Sequence, residues 1–208
     1  MPRQKPQPGS KTSLRRKPPS RTPKPRMLIV CEGKETEPLY FNGFRRKYNL
    51  QKELFTIVGF GADPVSVIKE AIKRKTEEQD YDSAWAVFDC DEHQGVKNAF
   101  QMAKDHEIKI AFSNPCFELW FLLHFQDQEA FIERDAVSKR LKKFVTDYEK
   151  TTKDMYNKLQ GSQKKAFKRT DRLREIHKSA LKPETENPST TVDQLVLSLY
   201  RHYKIRLG

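Results

Sequence analysis

Four short apolar runs, separated by stretches with helical spacing, constrain the fold of this chain more than any other feature. The runs are MLIVC, FTIVGF, AWAVF and IKIAF, and they start at residues 27, 55, 84 and 108. Between them, apolar residues recur every three or four positions, which is the period of an α-helix. Strands that alternate with helices form a parallel sheet with helices on both faces. We therefore expect an α/β fold with a parallel four-stranded sheet flanked by helices.

The helical segments follow from the same spacing. Asp63 and Pro64 mark one helix start, because aspartate caps helix N-termini and proline is tolerated in the first turn. After residue 126 no further strand pattern follows, and we expect a helical region whose basic helices contain KRLKK at residues 139–143. The predicted helices are 35–48, 64–79, 96–106, 117–125, 135–147, 150–159, 163–180 and 190–204. Ser189 or Thr190 is predicted to cap the last of them.

The charge of the chain is unevenly distributed. The net charge is +12. Residues 1–26 contain nine Lys or Arg, no acid and seven of the twelve prolines, which predicts a disordered basic arm. Residues 27–138 are net acidic, whereas residues 139–182 carry 15 basic and five acidic residues. We therefore predict three regions: a disordered arm over 1–26, an α/β domain over 27–125 and a basic helical region over 126–208.

Composition also disfavours several classes of protein. No apolar run approaches the ~20 residues of a membrane helix, and the basic N-terminus lacks the apolar stretch of a signal peptide. We expect a soluble protein of the cytoplasm. Cys31, Cys90 and Cys116 show no CxxC spacing, so we interpret them as buried packing residues and not as a zinc site or disulfides.

Three acids lie where a parallel sheet places its active site. Glu32 follows the first predicted strand, and Asp89 and Asp91 follow the third. In a 2-1-3-4 strand order these strands are neighbours, ~4.8 Å apart, and their carboxyl ends share one edge. Clustered carboxylates repel one another, and a hard divalent cation relieves that repulsion. We predict Mg²⁺ or Mn²⁺ on Asp89 and Asp91, with Glu32 binding a second ion or moving a proton. Gly33 would leave room for a phosphate.

Several motifs resemble those of a known family. A strand ending in Glu-Gly and a later strand ending in Asp-x-Asp are similar to the Toprim signature. More narrowly, VCEGKETEPLYF, FDCDEH, SNPCFELWFLLHF and NPSTTV together resemble the RloB-like family. The resemblance implies a Toprim-like domain and a metal-dependent endonuclease of bacterial phage-defence or restriction loci, often beside an ATPase partner. It assigns metal binding to Asp89 and Asp91, and acid/base or metal roles to Glu32.

Further candidates lie close to these motifs. Glu35 and Glu37 either bind a second metal or favour a helix N-terminus, and Lys34 could contact a phosphate. Glu92 and His93 extend the acidic loop, where His93 could relay a proton. Ser113, Asn114 and Pro115 follow the fourth strand. Glu118 lies in an apolar helix, and because an unpaired buried charge is costly, we expect it to face the acidic crevice. His124 is interpreted as a packing histidine.

The basic segment suggests a polyanionic partner. Five of its residues are candidates for a nucleic-acid backbone, although a solvated helix face would carry the same pattern. They are Lys164, Lys165, Lys168, Arg169 and Arg172. A lysine of this region could instead reach the metal site and stabilise transition-state charge. Thus the sequence favours a nuclease acting on DNA or RNA.

The same sequence patterns are compatible with two other functions. A non-catalytic subunit of a defence complex could bind nucleic acid or an ATPase through the same basic helices. A receiver-like signalling domain also carries acids after strands one and three. It requires a lysine after a fifth strand, and the pattern predicts no fifth strand, so we rank it low.

Overall fold

The strands form a single sheet of mixed direction. A computed structural model of the protein describes residues 25–78, 81–90, 95–177 and 186–207. The strands are β1 (Met27–Cys31), β2 (Phe55–Gly59), β3 (Ser83–Asp89), β4 (Lys109–Asn114) and β5 (Ser189–Thr190). Their order is β2-β1-β3-β4-β5, and the first four are parallel. The α/β class and the 2-1-3-4 order are confirmed.

The helices occupy most of the segments that the spacing predicts. They are α1 (Thr36–Lys47), α2 (Pro64–Glu78), α3 (Val96–Asp105), α4 (Glu118–Leu122), α5 (Arg134–Leu141), α6 (Met155–Leu159), α7 (Gln163–Ile176) and α8 (Val192–His202). Asp63 caps α2 as predicted, because its Oδ1 accepts hydrogen bonds from the backbone N–H groups of Val65 and Ser66. Within the described ranges, no helix is long and apolar enough to cross a membrane.

The prediction of a four-stranded sheet is wrong, because β5 adds a fifth strand. Residues Ser189 and Thr190, predicted to cap the last helix, instead pair antiparallel with Asn114 and Ser113 of β4. The Thr190 hydroxyl donates to the backbone C=O of Phe112. α8 begins after Thr191, not at Ser189 or Thr190. Because β5 is antiparallel and is followed by threonine, it does not supply the lysine of a receiver-like site.

Each face of the sheet has its own apolar core. Alternate β1 residues point to opposite faces, as the strand period requires: Ile29 belongs to one buried cluster and Val30 to the other. The cluster around Val30 is closed by α2 and α3. The cluster around Ile29 is closed by α1, α4 and α8. The sheet is therefore covered on both sides, which explains the uninterrupted apolar runs of its strands.

Residues of the C-terminal region take part in the same core as the sheet. Leu159 and Leu199 belong to the cluster around Ile29. The hydroxyls of Tyr156 and Tyr200 lie 2.9 Å apart in this core. The boundary near residue 125 stays a prediction, but helices from both sides of it bury one common surface.

The predicted arm lies almost entirely outside the described residues, since only Pro25 and Arg26 are described. Arg26 is held in place, because its backbone N–H donates to Asp82 at 2.7 Å and its Nε donates to the C=O of Glu53 at 2.8 Å. Its guanidinium also lies over the ring of Tyr81. Arg26 thus belongs to the folded part of the chain and not to the arm.

Candidate active site at the carboxyl edge of the sheet

Glu32 and Asp89 meet at the carboxyl edge of the sheet. Cys31, the last residue of β1, pairs with Val87 of β3, so Glu32 lies beside the end of β3, where Asp89 is the last residue. The Glu32 Oε2 accepts a hydrogen bond of 2.9 Å from the backbone N–H of Asp89. The neighbouring strand ends predicted from the sequence are therefore observed. Asp91, Glu92 and His93 lie outside the described residues.

These two acids line a cleft of about 360 Å³. Its wall combines acids, three basic side chains and the loop that leads into α1. The lining residues are Glu32, Gly33, Lys34, Glu35, Thr36, Glu37, Asp89, Phe117, Glu118, Arg134 and Lys150. The cleft thus gathers carboxylates from the ends of β1 and β3, from α1 and from α4. Its cations come from the loop before α1, from the start of α5 and from Lys150.

Glu37 is a buried acid that contacts the turn formed by Glu32 and Gly33. Its side chain is only 6% exposed, and its Oε1 accepts a hydrogen bond of 3.2 Å from the backbone N–H of Gly33. A Cβ at residue 33 would lie 2.1 Å from Glu37 Oε2. The glycine therefore makes room for this carboxylate, and its proximity to a phosphate stays a prediction. Burial, followed by the charges of Glu118 and Glu32, raises the pKa of Glu37 to about 7.

Glu118 faces the cleft, as the cost of burying its charge predicts. It lies in the first turn of α4 and is 4% exposed. The Tyr148 hydroxyl donates to its Oε1 at 2.9 Å. Burial, together with the charge and the hydrogen bond of Glu118, raises the pKa of Tyr148, so this hydroxyl stays a donor. No sequence pattern indicates Tyr148, because the pair joins residues 30 positions apart.

Arg134 is the basic residue that enters the acidic cluster. Its guanidinium lies 3.2 Å from the Asp89 Oδ2 and donates to the backbone C=O of Pro115 at 3.2 Å. Burial, and then the charge of Glu37, raises the pKa of Asp89, whereas Arg134 lowers it. The sequence patterns missed Arg134, which has acidic neighbours in the chain and reaches Asp89 only through the tertiary fold.

Two lysines occupy the rim of the cleft. Lys34 follows the Glu-Gly pair, and Lys150 comes from the basic segment. The Thr36 hydroxyl donates to the backbone C=O of Lys150 at 3.3 Å, which joins that loop to the start of α1. Glu35 lines the cleft as an exposed residue. Lys150 is therefore a cation of the basic segment that the fold brings to the acidic cleft.

The acids fit a hard cation by ligand type. Mg²⁺ takes oxygen ligands and is usually held by one or two carboxylates, with waters and substrate phosphates completing its shell. Glu32 and Asp89 provide such oxygens. Among the residues that the structure describes, no three His, Cys, Asp or Glu side chains form a ready ligand set. Asp91, the predicted second aspartate, is not among them.

The five predicted nucleic-acid contacts do not line the cleft and fall into two groups. The first group is exposed and consists of Lys164, Lys165 and Lys168. The second makes intramolecular ion pairs, because Arg169 lies 2.6 Å from Asp127 and Arg172 lies 2.6 Å from Glu129.

The remaining candidates serve packing and the sheet edge. Ser113 pairs through its hydroxyl with that of Thr190 at 2.9 Å, and Asn114 is 5% exposed beside Pro115. His124 is 1% exposed, as expected for a packing histidine. The three cysteines are buried, as predicted for packing residues.

A family model described as RloB-like protein matches residues 27–199. The match therefore includes the acidic cleft, the helices of the C-terminal region and β5. No curated protein and no solved structure matches the chain.

Proposed function

This chain belongs to the RloB-like family, and we propose that it is a metal-dependent nuclease that hydrolyses phosphodiester bonds of DNA or RNA. Under this proposal the acidic cleft is a Toprim-type site. The family resemblance adds a cytoplasmic role in bacterial anti-phage defence or restriction, with an ATPase as partner protein.

The observation that carries the proposal is the fixed pairing of Glu32 with Asp89 in a cleft that also contains Glu37 and Glu118. Packing four carboxylates together costs folding free energy, because each disfavours ionisation of the others. A protein gains little stability from such a cluster. A function that requires negative charge and oxygen ligands accounts for it, and divalent-metal binding is such a function.

The metal ligands under this proposal are Asp89 and Glu32, with Asp91 added on the strength of its spacing. When bound, Mg²⁺ or Mn²⁺ polarises a phosphoryl oxygen and favours ionisation of a bound water. The hydrogen bond from the Asp89 N–H holds the Glu32 carboxylate at the edge of the sheet. The Tyr148 hydroxyl orients Glu118 in the same way. These contacts restrict the side-chain motion of Glu32 and Glu118 and so keep their carboxylates in place.

The basic residues of the cleft supply the contacts to substrate. Arg134 presents several N–H donors in a planar fork, which matches phosphate oxygens. Lys34 and Lys150 flank the same opening as mobile point charges. A phosphodiester in the cleft would therefore meet both acids and cations. The exposed lysines of α7 do not line the cleft, and they supply further positive charge for a longer polynucleotide.

One observation favours the second candidate, a non-catalytic binding subunit. Arg134 already neutralises part of the charge on Asp89. Such an ion pair would stabilise an acidic cluster that holds no cation. The second candidate binds nucleic acid or an ATPase, whereas only the nuclease requires Asp89 for a chemical step.

The test is cleavage of single-stranded and duplex RNA and DNA in Mg²⁺, Mn²⁺ or EDTA, with and without the ATPase partner. Asp89→Asn keeps the shape of the side chain and removes its charge. Asp105→Asn is the control, because Asp105 is an exposed residue at the end of α3. We expect metal-dependent cutting by wild type and the control, and none by Asp89→Asn. Equal cutting by all three proteins would reject the site, and binding without cutting in every condition would favour the second candidate.

A further inference from the structure

The side chain of Asn187 bonds to both backbone groups of one residue in a distant loop. Its Oδ1 accepts from the N–H of Ile132 at 3.0 Å, and its Nδ2 donates to the C=O of Ile132 at 3.0 Å. The same Nδ2 lies 3.2 Å from Oδ1 of Asn114, at the end of β4. A primary amide used in this way fixes both the position and the orientation of the segment it binds.

Ile132 precedes the arginine of the acidic cleft by two residues. The Ile132 side chain is 2% exposed and packs in a small apolar cluster with Cys116 and Leu122. α5 then begins at Arg134, whose guanidinium reaches Asp89. The start of this helix is thus held by an apolar contact on one side and by the Asn187 amide on another.

We infer that Asn187 is a positioning residue that holds the start of α5 and thereby places Arg134 beside Asp89. Asn187 is not among the described residues that line the cleft, so its effect passes through Ile132. The role of Arg134 as a phosphate contact rests on the proposed function. The positioning of Arg134 by Asn187 does not, and it can be measured without any substrate.

The variant Asn187→Asp tests this inference with little change of shape. An aspartate keeps an acceptor for the Ile132 N–H but has no donor for the C=O of Ile132 or for Asn114. Its negative charge would also lie close to the C=O oxygen of Ile132 and to the Oδ1 of Asn114. Asn187→Ser removes the amide without adding charge and serves the same experiment if the aspartate variant does not fold. Asn157→Asp is the control, because Asn157 is an exposed residue of α6 that bonds to Asp154.

The first measurement is a double-mutant cycle on stability. Urea midpoints are compared for wild type, Asn187→Asp and Asn157→Asp, each with and without Arg134→Ala. If Asn187 positions Arg134, the midpoint shift caused by Arg134→Ala is at least halved in the Asn187→Asp background. It is unchanged in the Asn157→Asp background. Equal shifts in all three backgrounds would overturn the inference.

Hydrogen exchange of the backbone gives a second readout. Peptides covering residues 126–137 should exchange faster in Asn187→Asp than in wild type, because the aspartate repels the C=O of Ile132 and no longer holds this loop in place. The Asn157→Asp protein should exchange at the wild-type rate. Unchanged protection in Asn187→Asp would show that the amide does not hold the loop, whether or not the protein cuts nucleic acid.

If wild type cuts nucleic acid, activity gives a third readout. We expect Asn187→Asp to lower kcat/KM by ~10- to 100-fold, the usual effect of a small misplacement in an active site. The double variant should be no worse than Arg134→Ala alone. An equal loss in both backgrounds would mean that Asn187 acts by another route. If wild type does not cut, the proposed function fails, and the stability cycle still decides the inference.

Discussion

The carboxylate of Glu37 occupies the space that a side chain at Gly33 would need. The Glu37 Oε1 accepts from the Gly33 backbone N–H at 3.2 Å, while a Cβ on residue 33 would lie 2.1 Å from the Glu37 Oε2. Glycine after Glu32 is thus explained by an acid four residues further along the chain. The pair also places a buried carboxylate directly behind the proposed metal ligands, where its ionisation is unfavourable.

Glu37→Gln should therefore stabilise the metal-free protein at alkaline pH. The pKa of Glu37 is raised to about 7, so its ionised form costs folding free energy at any higher pH. With an ordinary glutamate pKa of ~4.3, that cost is no more than about 4 kcal/mol. Below about pH 4 the carboxyl is protonated in both folded and unfolded states, and the cost vanishes. We expect the gain at pH 8 and not at pH 4, measured by urea unfolding in EDTA.

The control for this measurement is Glu35→Gln. Glu35 belongs to the same turn but is exposed, so its replacement should change the free energy of unfolding by less than about 0.5 kcal/mol. A Glu37→Gln protein that is less stable than wild type at pH 8 would show that contacts stabilise the ionised carboxylate by more than its burial costs.

The sequence was sufficient for the parts of the fold that depend on local patterns. The apolar runs predicted the first four strands, and their carboxyl ends correctly brought Glu32 next to Asp89. The polar strand β5 was missed because two residues carry no periodicity, and its pairing depends on hydroxyl contacts with β4.

The composition of the cleft was harder to predict than its location. Arg134 reaches Asp89 across 45 residues, and its immediate neighbours in the chain are acidic. Tyr148 reaches Glu118 across 30. Because the partners lie far apart in the chain, neither pair produces a residue spacing that could be recognised in the sequence. The ion pairs within the basic stripe of α7 also escaped the sequence patterns, because Arg169 and Arg172 pair with acids from another loop.

The two groups of basic residues in α7 should behave differently. Replacing the exposed Lys164, Lys165 and Lys168 together by alanine should weaken nucleic-acid binding and reduce the slope of log K against log salt by about 2 to 3, because phosphate contacts release counterions. The urea midpoint should not change. Binding by fluorescence anisotropy across a salt series measures the slope, and an unaltered slope would place the polyanion surface elsewhere.

Arg169→Ala is the matched comparison for these lysines. Its guanidinium lies 2.6 Å from Asp127 and donates to the C=O of Leu123 at 2.8 Å. Asp127 is largely exposed, so the loss should be only about 1 kcal/mol of stability. If Arg169→Ala weakened nucleic-acid binding as much as the triple lysine variant and left stability unchanged, Arg169 would itself be a contact for nucleic acid.

Gly43→Ala should destabilise the packing of α1 against α6. In an unconstrained helix interior, alanine is favoured over glycine by about 1 kcal/mol. In α1, however, a Cβ at residue 43 would lie 2.6 Å from the Cβ of Tyr156, which cannot rotate away. We therefore expect a net cost of about 1 to 3 kcal/mol in urea unfolding. Gly161→Ala is the control, because a Cβ there meets no described atom within 4 Å. If Gly43→Ala were as stable as Gly161→Ala, α6 would not pack closely on α1.

His124 should make the protein sensitive to mild acid. The ring is 1% exposed, and its Nδ1 lies 2.8 Å from the backbone C=O of Trp120, to which it donates in the neutral form. Within the part of the chain that the structure describes, its Nε2 has no hydrogen-bond partner, so a proton there would find no acceptor. Burial lowers the pKa of His124 to about 4.

Because the unfolded chain takes up this proton near pH 6.5 and the folded chain only near pH 4, the stability contributed by the neutral ring is complete above pH 6.5. It is lost as the pH falls between those values, by up to about 3 kcal/mol. His124→Asn can keep a donor for Trp120 without taking up a proton, so its free energy of unfolding should change less from pH 7 to pH 4. His106→Asn, at an exposed position, should retain the wild-type pH dependence. Urea unfolding followed by tryptophan fluorescence at each pH makes the comparison. A His124→Asn protein with the same pH dependence as wild type would mean that the folded protein accommodates a protonated His124.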